Sequence, residues 1–190
     1  RNGSAGATTG TVIIVAPSDD VYIDSSTVSR TISTATGGNF ELLTINPAAA
    51  STTVTDDSDA TTVSLTATPS VVEGGTITYT ATLTSAAQTA VTVTLSTGQT
   101  INIAAGATSG TVDIAAPTDD VYIDASTVSR TISSATGGNF ELLTVNPAAA
   151  STTVTDDSDA TTVTLTATPS VAEGGSIVYT ATLTNAAQTA

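Results

Sequence analysis

Residues 61–84 read TTVSLTATPSVVEGGTITYTATLT, and this stretch decides the fold. Over 62–68 and again over 76–84, β-branched and aliphatic residues recur at every second position, the spacing of a strand with one face buried. Between them PSVVEGG supplies a proline and two glycines, turn chemistry that closes one strand and opens the next. The same grammar continues outward. Further strands are predicted at 91–96, 100–104, 109–115, 127–133 and 151–155, separated by SAAQTA, STGQ, AAGATSG, APTDDVYID and ATGGNFELLTVNPAAA. The chain spends 44 of its 190 residues on threonine, which suits a pleated, half-buried surface. Seven short strands in about 100 residues predict an all-β, immunoglobulin-like β-sandwich, here built without the Cys and Trp of antibody domains.

The pattern repeats. VYIDSSTVSR from Val21 returns as VYIDASTVSR from Val121, and PSVVEGG at Pro69 returns as PSVAEGG at Pro169. Residues 1–90 match 101–190 at 75 of 90 positions, and most exchanges are Ser/Thr, Val/Ile or Ala/Ser. A 100-residue period is the size of a folding domain and too long for a solenoid unit of about 20–50 residues, so the expectation is tandem domains. Boundaries fall in the acidic linkers at 56–60 and 156–160. They divide the chain into the later strands of one repeat (1–57), a complete repeat (61–157) and the first strands of another (161–190). The opening block Arg1-Asn2-Gly3-Ser4 breaks the pattern, standing opposite Ile101-Asn102-Ile103-Ala104 with only the Asn in common. Neither end piece has enough strands for a core. Each is expected to be completed by further repeats or by strands from a neighbouring chain, through β-augmentation.

Composition narrows the function. The chain has no His, Cys, Met, Trp or Lys, which removes the commonest general base, the thiolate nucleophile, the Schiff-base amine and the soft-metal ligands. It is not expected to be an enzyme. Three Arg stand against 17 Asp and Glu, a net charge of −14, so a nucleic-acid backbone would be repelled. No apolar run approaches the roughly 18 residues of a membrane span, so no membrane insertion is expected. What clustered carboxylates do attract is hard cations.

In an antiparallel sandwich successive strands reverse, so loops fall alternately at the two ends. Counting them gathers Glu73, Asp119, Asp120, Asp124, Asp156, Asp157 and Asp159 at one end. Glu141, beside Asn139, lies at the other, and Asp113 is on a strand. At each junction the acidic end of one repeat meets the opposite end of the next across DDSDA. Calcium takes six to eight oxygens from a flexible cage of carboxylates, carbonyls and water, and these loops offer them. Neither the EF-hand loop nor the glycine-rich nonapeptide of calcium β-rolls is present, so the argument rests on convergence. The alternative is a solvated acidic linker that keeps tandem copies soluble and apart. The threonine rows invite an ice- or glycan-binding reading, but a twisted sandwich lacks the flat array that ice requires. Tyr79, Tyr122 and Tyr179 read as core or rim residues with satisfied hydroxyls. The Asp119–Asp120 and Asp156–Asp157 pairs read as ligands rather than catalysts. Gly37–Gly38 and Gly74–Gly75 read as turns.

The run AVTVTLSTGQTINIAAGATSGTVDIAAPTDDVYIDASTVSRTISSATGGNFELLTVNPAAASTTVTDD resembles the extender repeat of giant bacterial surface adhesins of the RTX and large adhesion protein type. The likeness extends to the extender region of an ice-binding marine adhesin, whose ice-binding domain is a separate module. The resemblance implies an extracellular array on a bacterial cell surface, used in adhesion and biofilm formation, that projects an adhesive module and stiffens when calcium binds between neighbouring repeats of the same chain. Carried onto these residues, the junction sites would involve Asp19, Asp20, Asp24, Asp56, Asp57 and Asp59 and their copies Asp119, Asp120, Asp124, Asp156, Asp157 and Asp159, with Glu73 and Glu141 as supplementary ligands. Two other functions stay open. One is a binding module that touches glycan, ice or a partner chain directly, and the other is a filament subunit assembled by strand exchange.

Overall fold

The computed structural model describes residues 6–189, so the irregular first four residues lie outside it. Fourteen strands and no helix occur among the described residues. In chain order they are β1 (Ser26–Arg30), β2 (Ala50–Val54), β3 (Ala60–Ala67), β4 (Ser70–Val72), β5 (Thr76–Leu83), β6 (Val91–Leu95) and β7 (Thr100–Ile103), followed by β8 (Ser109–Ala115), β9 (Ser126–Arg130), β10 (Ile132–Gly137), β11 (Leu142–Val145), β12 (Ala150–Thr155), β13 (Val163–Ala167) and β14 (Tyr179–Leu183). The fold is all-β, as expected.

Ten strands, β3 to β12, share one core. A four-stranded sheet runs β11-β3-β5-β8, and two three-stranded sheets run β10-β6-β7 and β4-β12-β9. Thr131 alone separates β9 from β10, so the chain leaves β12 and passes directly to β6. The predicted single strand at 127–133 is thus two strands with different partners, and a register shift between Ile132 and Ser134 takes up the change. Period-two alternation delivers the core. Thr61, Val63 and Leu65 from β3, Ile77, Tyr79, Ala81 and Leu83 from β5, Val91, Val93 and Leu95 from β6, and Ile101 and Ile103 from β7 all point inward and are buried. Gly137 closes β10 at φ 101°, and a Cβ there would lie 2.2 Å from the Ala90 carbonyl oxygen, so the approach to the start of β6 requires glycine.

Two strands escape the sequence reading. β4 and β11 fall in segments expected to be turns, and both pair in parallel, β4 with β12 and β11 with β3. The sandwich is therefore not purely antiparallel. Both are short, three and four residues, and punctuated by Pro69, Gly74 or Pro147, so local pattern favours a loop and only the distant partner makes a strand.

The repeat supplies a direct comparison. Residues 109–115 form β8 against β5, whereas 9–15 form no strand; likewise 132–137 form β10 against β6, whereas 32–37 do not. Near-identical segments are thus strands where β5 and β6 pair with them, so the partner and not the local sequence makes the strand. β1 and β2 pair as β9 and β12 do, and β13 and β14 pair in the register of β3 and β5. These two-stranded pieces leave Val163, Leu165 and Leu183 exposed where Val63, Leu65 and Leu83 are buried.

Tyr79 corrects one expectation. Its ring is in the core, but its hydroxyl has no partner among the described residues, and burial pushes its pKa up against the opposing charge of Arg130. Tyr122 does have a satisfied hydroxyl, donated across a repeat boundary to the Ala186 carbonyl. Tyr179 is 65 % exposed in the two-stranded piece.

Candidate metal centre

Glu73 sits in the turn between β4 and β5. Its amide donates to the Thr155 carbonyl at 3.1 Å, and the next amide, of Gly74, donates to the Pro117 carbonyl at 2.7 Å. These two bonds clip the turn to the end of β12 and to the loop after β8. Asp156 follows β12 and Asp124 precedes β9, so strand ends carry all three carboxylates to one point. One oxygen from each of Glu73, Asp124 and Asp156 lies within 4.8 Å of the others. Glu73 is only 7 % exposed, and its Oε2 has no hydrogen-bond partner among the described residues. Burial, then a hydrogen bond and charge from Asp124, then the charges of Asp156 and Asp120 raise its pKa to about 7. A buried carboxylate that faces two others and leaves one oxygen unpaired is costly to ionise unless a cation joins it.

A second triad, Asp119, Asp157 and Asp159, meets the same distance limit at the surface. Burial and the charges of Asp157 and Asp159, together with a hydrogen bond to Asp157, hold the Asp119 carboxyl above its usual range. The third triad spans two repeats. Asp19 and Asp57 come from the loops of the first, and Glu141 comes from the loop between β10 and β11 of the second. Glu141 Oε2 accepts the Asp59 amide in a short hydrogen bond, while its Oε1 is buried without a partner among the described residues. The Asp59 amide favours the ionised form of Glu141, but burial and the charges of Asp56, Asp59 and Asp57 outweigh it, and the pKa rises. Asp19 is raised by its hydrogen bond and charge contact with Asp57, then by burial and by Asp59 and Asp56.

All fourteen sequence candidates lie at these ends, but they do different jobs. Nine form the three triads. Asp20 and Asp120 accept the amide two residues on, of Tyr22 at 2.8 Å and Tyr122 at 2.7 Å, and so shape their loops. Asp24 meets Asp56 through its amide, which donates to Asp56 Oδ2 at 3.2 Å, whereas their copies Asp124 and Asp156 bring carboxylate oxygens together with Glu73. Asp59 presents its backbone to Glu141, whereas its copy Asp159 joins a triad. Clefts run beside both sets, one lined by Asp19, Asp24, Asp56 and Asp57, the other by Asp120, Asp156, Asp157 and Asp159. Sequence reasoning missed the apolar side of the junction, where Tyr22 stacks on Phe140 with ring centroids 5.7 Å apart. Its only signal was the unchanged return of VYID after each acidic pair.

Oxygen-only donors in threes, two of them with an orphaned buried oxygen, have the chemistry of a site for a hard divalent cation. They offer nothing to a soft metal.

A family model described as the LapA domain matches residues 3–57, 59–157 and 159–190. No curated protein matches the chain. The three matches leave only a few residues uncovered, and the chain belongs to the LapA domain family, a family of large adhesion proteins.

Proposed function

We propose that this chain is extender: tandem immunoglobulin-like repeats, stiffened by calcium at their junctions, that hold an adhesive module away from a bacterial cell surface for adhesion or biofilm formation. The observation that carries the reading is the triad of Asp19, Asp57 and Glu141, whose members come from two successive repeats. An ion held there takes ligands from both sides of the DDSDA linker and restricts their relative motion. Asp119, Asp157 and Asp159 occupy the corresponding place after the complete repeat. Glu73, Asp124 and Asp156 lie within one repeat, so an ion there stabilises that repeat by mass action, because only the folded chain gathers the three carboxylates. Membership of an adhesin family supports the setting.

Small-angle scattering and melting curves, with calcium and with excess EGTA, test this. With calcium the maximum dimension increases and the scattering is that of a rod. On chelation the profile becomes that of a hinged chain, and the melting temperature falls by on the order of 10 °C if each site had been near saturation. Shape and melting that ignore calcium would sink the reading and leave the linker a solvated hinge.

A second reading has its own support. β13 and β14 expose the residues that β3 and β5 bury, so their apolar face fits strands of another repeat, supplied along a longer array or by a neighbouring chain. Exchange between chains predicts sedimentation that grows with concentration for residues 1–190 and is lost for residues 59–157 alone. Monomeric behaviour of both pieces at high concentration excludes it.

A further inference from the structure

The uncharged side of the junction is as specific as the acidic one. Residues 21–23 of the first repeat lie alongside 139–141 of the second as a short antiparallel bridge. The Ile23 amide donates to the Asn139 carbonyl at 3.2 Å, and the Glu141 amide donates to the Val21 carbonyl at 3.1 Å. Tyr22, between them, stacks on Phe140 at an interplanar angle of 22° and donates its hydroxyl to the Ala86 carbonyl at 2.6 Å. The Tyr–carbonyl contact recurs at the next boundary, where Tyr122 donates to Ala186 at 2.7 Å.

The receiving surface is held together by bonds within its own repeat. Its two loops are tied to each other within one repeat. The Gln88 amide donates to the Gly138 carbonyl at 3.0 Å, the Gly138 amide to Thr89 Oγ1 at 3.1 Å, and Asn139 Nδ2 to Gln88 Oε1 at 2.7 Å. Gly138 leaves room for the Phe140 ring, which would lie 2.2 Å from a Cβ at that position. On the other side, Asp20 accepts the Tyr22 amide and fixes the loop that presents the ring.

We propose that residues 21–23 and their copy 121–123 are a recognition hook, and that loops 86–89 and 137–141 of the following repeat are its socket, so that successive repeats meet head to tail at this contact without an ion and pivot about it until calcium fixes the angle between them. The partner is another copy of the repeat, recognised by two backbone hydrogen bonds, an aromatic face and one carbonyl placed for a phenol hydroxyl. None of these contacts is ionic, so removal of calcium leaves them in place. The inference goes beyond the calcium reading and does not depend on it.

Amide hydrogen exchange on the 190-residue chain in excess EGTA tests the hook. The Glu141 amide is expected to exchange at least about tenfold more slowly in the parent than in Tyr22→Ala, with Tyr22→Phe between them. The Tyr79 and Val112 amides, paired between β5 and β8 in the core, serve as the control for folding and are expected to be unchanged. Equal exchange at Glu141 in the parent and in Tyr22→Ala would overturn the proposal, as would protection that appears only when calcium is added. Protection in EGTA that calcium leaves unaltered upholds the hook while counting against ion binding at the junction.

Discussion

In excess EGTA at pH 8, Glu73→Gln is expected to melt roughly 5 °C above the parent chain, and in millimolar calcium to melt below it. Without an ion the parent holds a buried carboxylate with one oxygen unpaired among the described residues, close to those of Asp124 and Asp156. The amide keeps the shape and removes the charge, which relieves both burden and repulsion. With calcium that same charge is a ligand, and its loss removes the linkage gain. The pH dependence has a definite sign. Glu73 has a folded pKa of about 7 against an ordinary 4.5, so between those values the folded state keeps a proton that the unfolded chain releases. The metal-free parent therefore loses stability as pH rises from about 4.5 to about 7 and levels off above it. Glu73→Gln flattens this slope only in part, because Asp119 is also raised at the same end. In calcium the slope reverses as protons cease to compete for the carboxylates. Melting curves at several pH values, with and without calcium, check each step; a variant that melts below the parent in both solutions would mean that Glu73 is a structural acid and no ligand.

Ile77→Ala and Ile177→Ala are expected to differ by most of the cost of a core cavity, although they change the equivalent position in two copies of the repeat. Ile77 is fully buried between the sheets, and its truncation costs about 2–5 kcal/mol. Ile177 is 55 % exposed, and its truncation costs less than about 0.5 kcal/mol. Urea unfolding of the two variants beside the parent reads the difference directly. Equal costs would mean that residues 161–190 are packed against strands of another molecule in solution.

That contrast also marks what local sequence can specify. Alternation at 62–68 and 76–84 gave β3 and β5 nearly to the residue, because both faces of each strand are written in adjacent letters. β11 was invisible for the opposite reason. Its four residues sit between Glu141 and Asn146, and the strand that makes them a strand lies 82 residues earlier, with Thr62 and Thr144 hydroxyls in contact at 2.8 Å. The ends of the sandwich were legible, since counting reversals places loops, and the acidic residues do gather there. Their division of labour was not. Asp19 and Asp20 are adjacent identical letters, yet one joins a triad and the other holds the Tyr22 amide. Only backbone geometry separates them. Tyr22 was overlooked because its partner, Phe140, belongs to the next repeat.

The two parallel pairings have a consequence for the extender proposed above, should it carry load. β3 and β4 stand at the start of the repeat and β12 at its finish, and β4 runs beside β12 in the same direction, with Ser70 opposite Thr153 and Val72 opposite Thr155. Tension along the chain draws β4 backward through β3 and β12 forward through the linker. The rungs between them lie across that tension and share it at once, in shear, whereas a hairpin pulled at its open end would unzip one rung at a time. Pulled from its two ends, such a repeat is expected to give way at these three rungs together and not one after another.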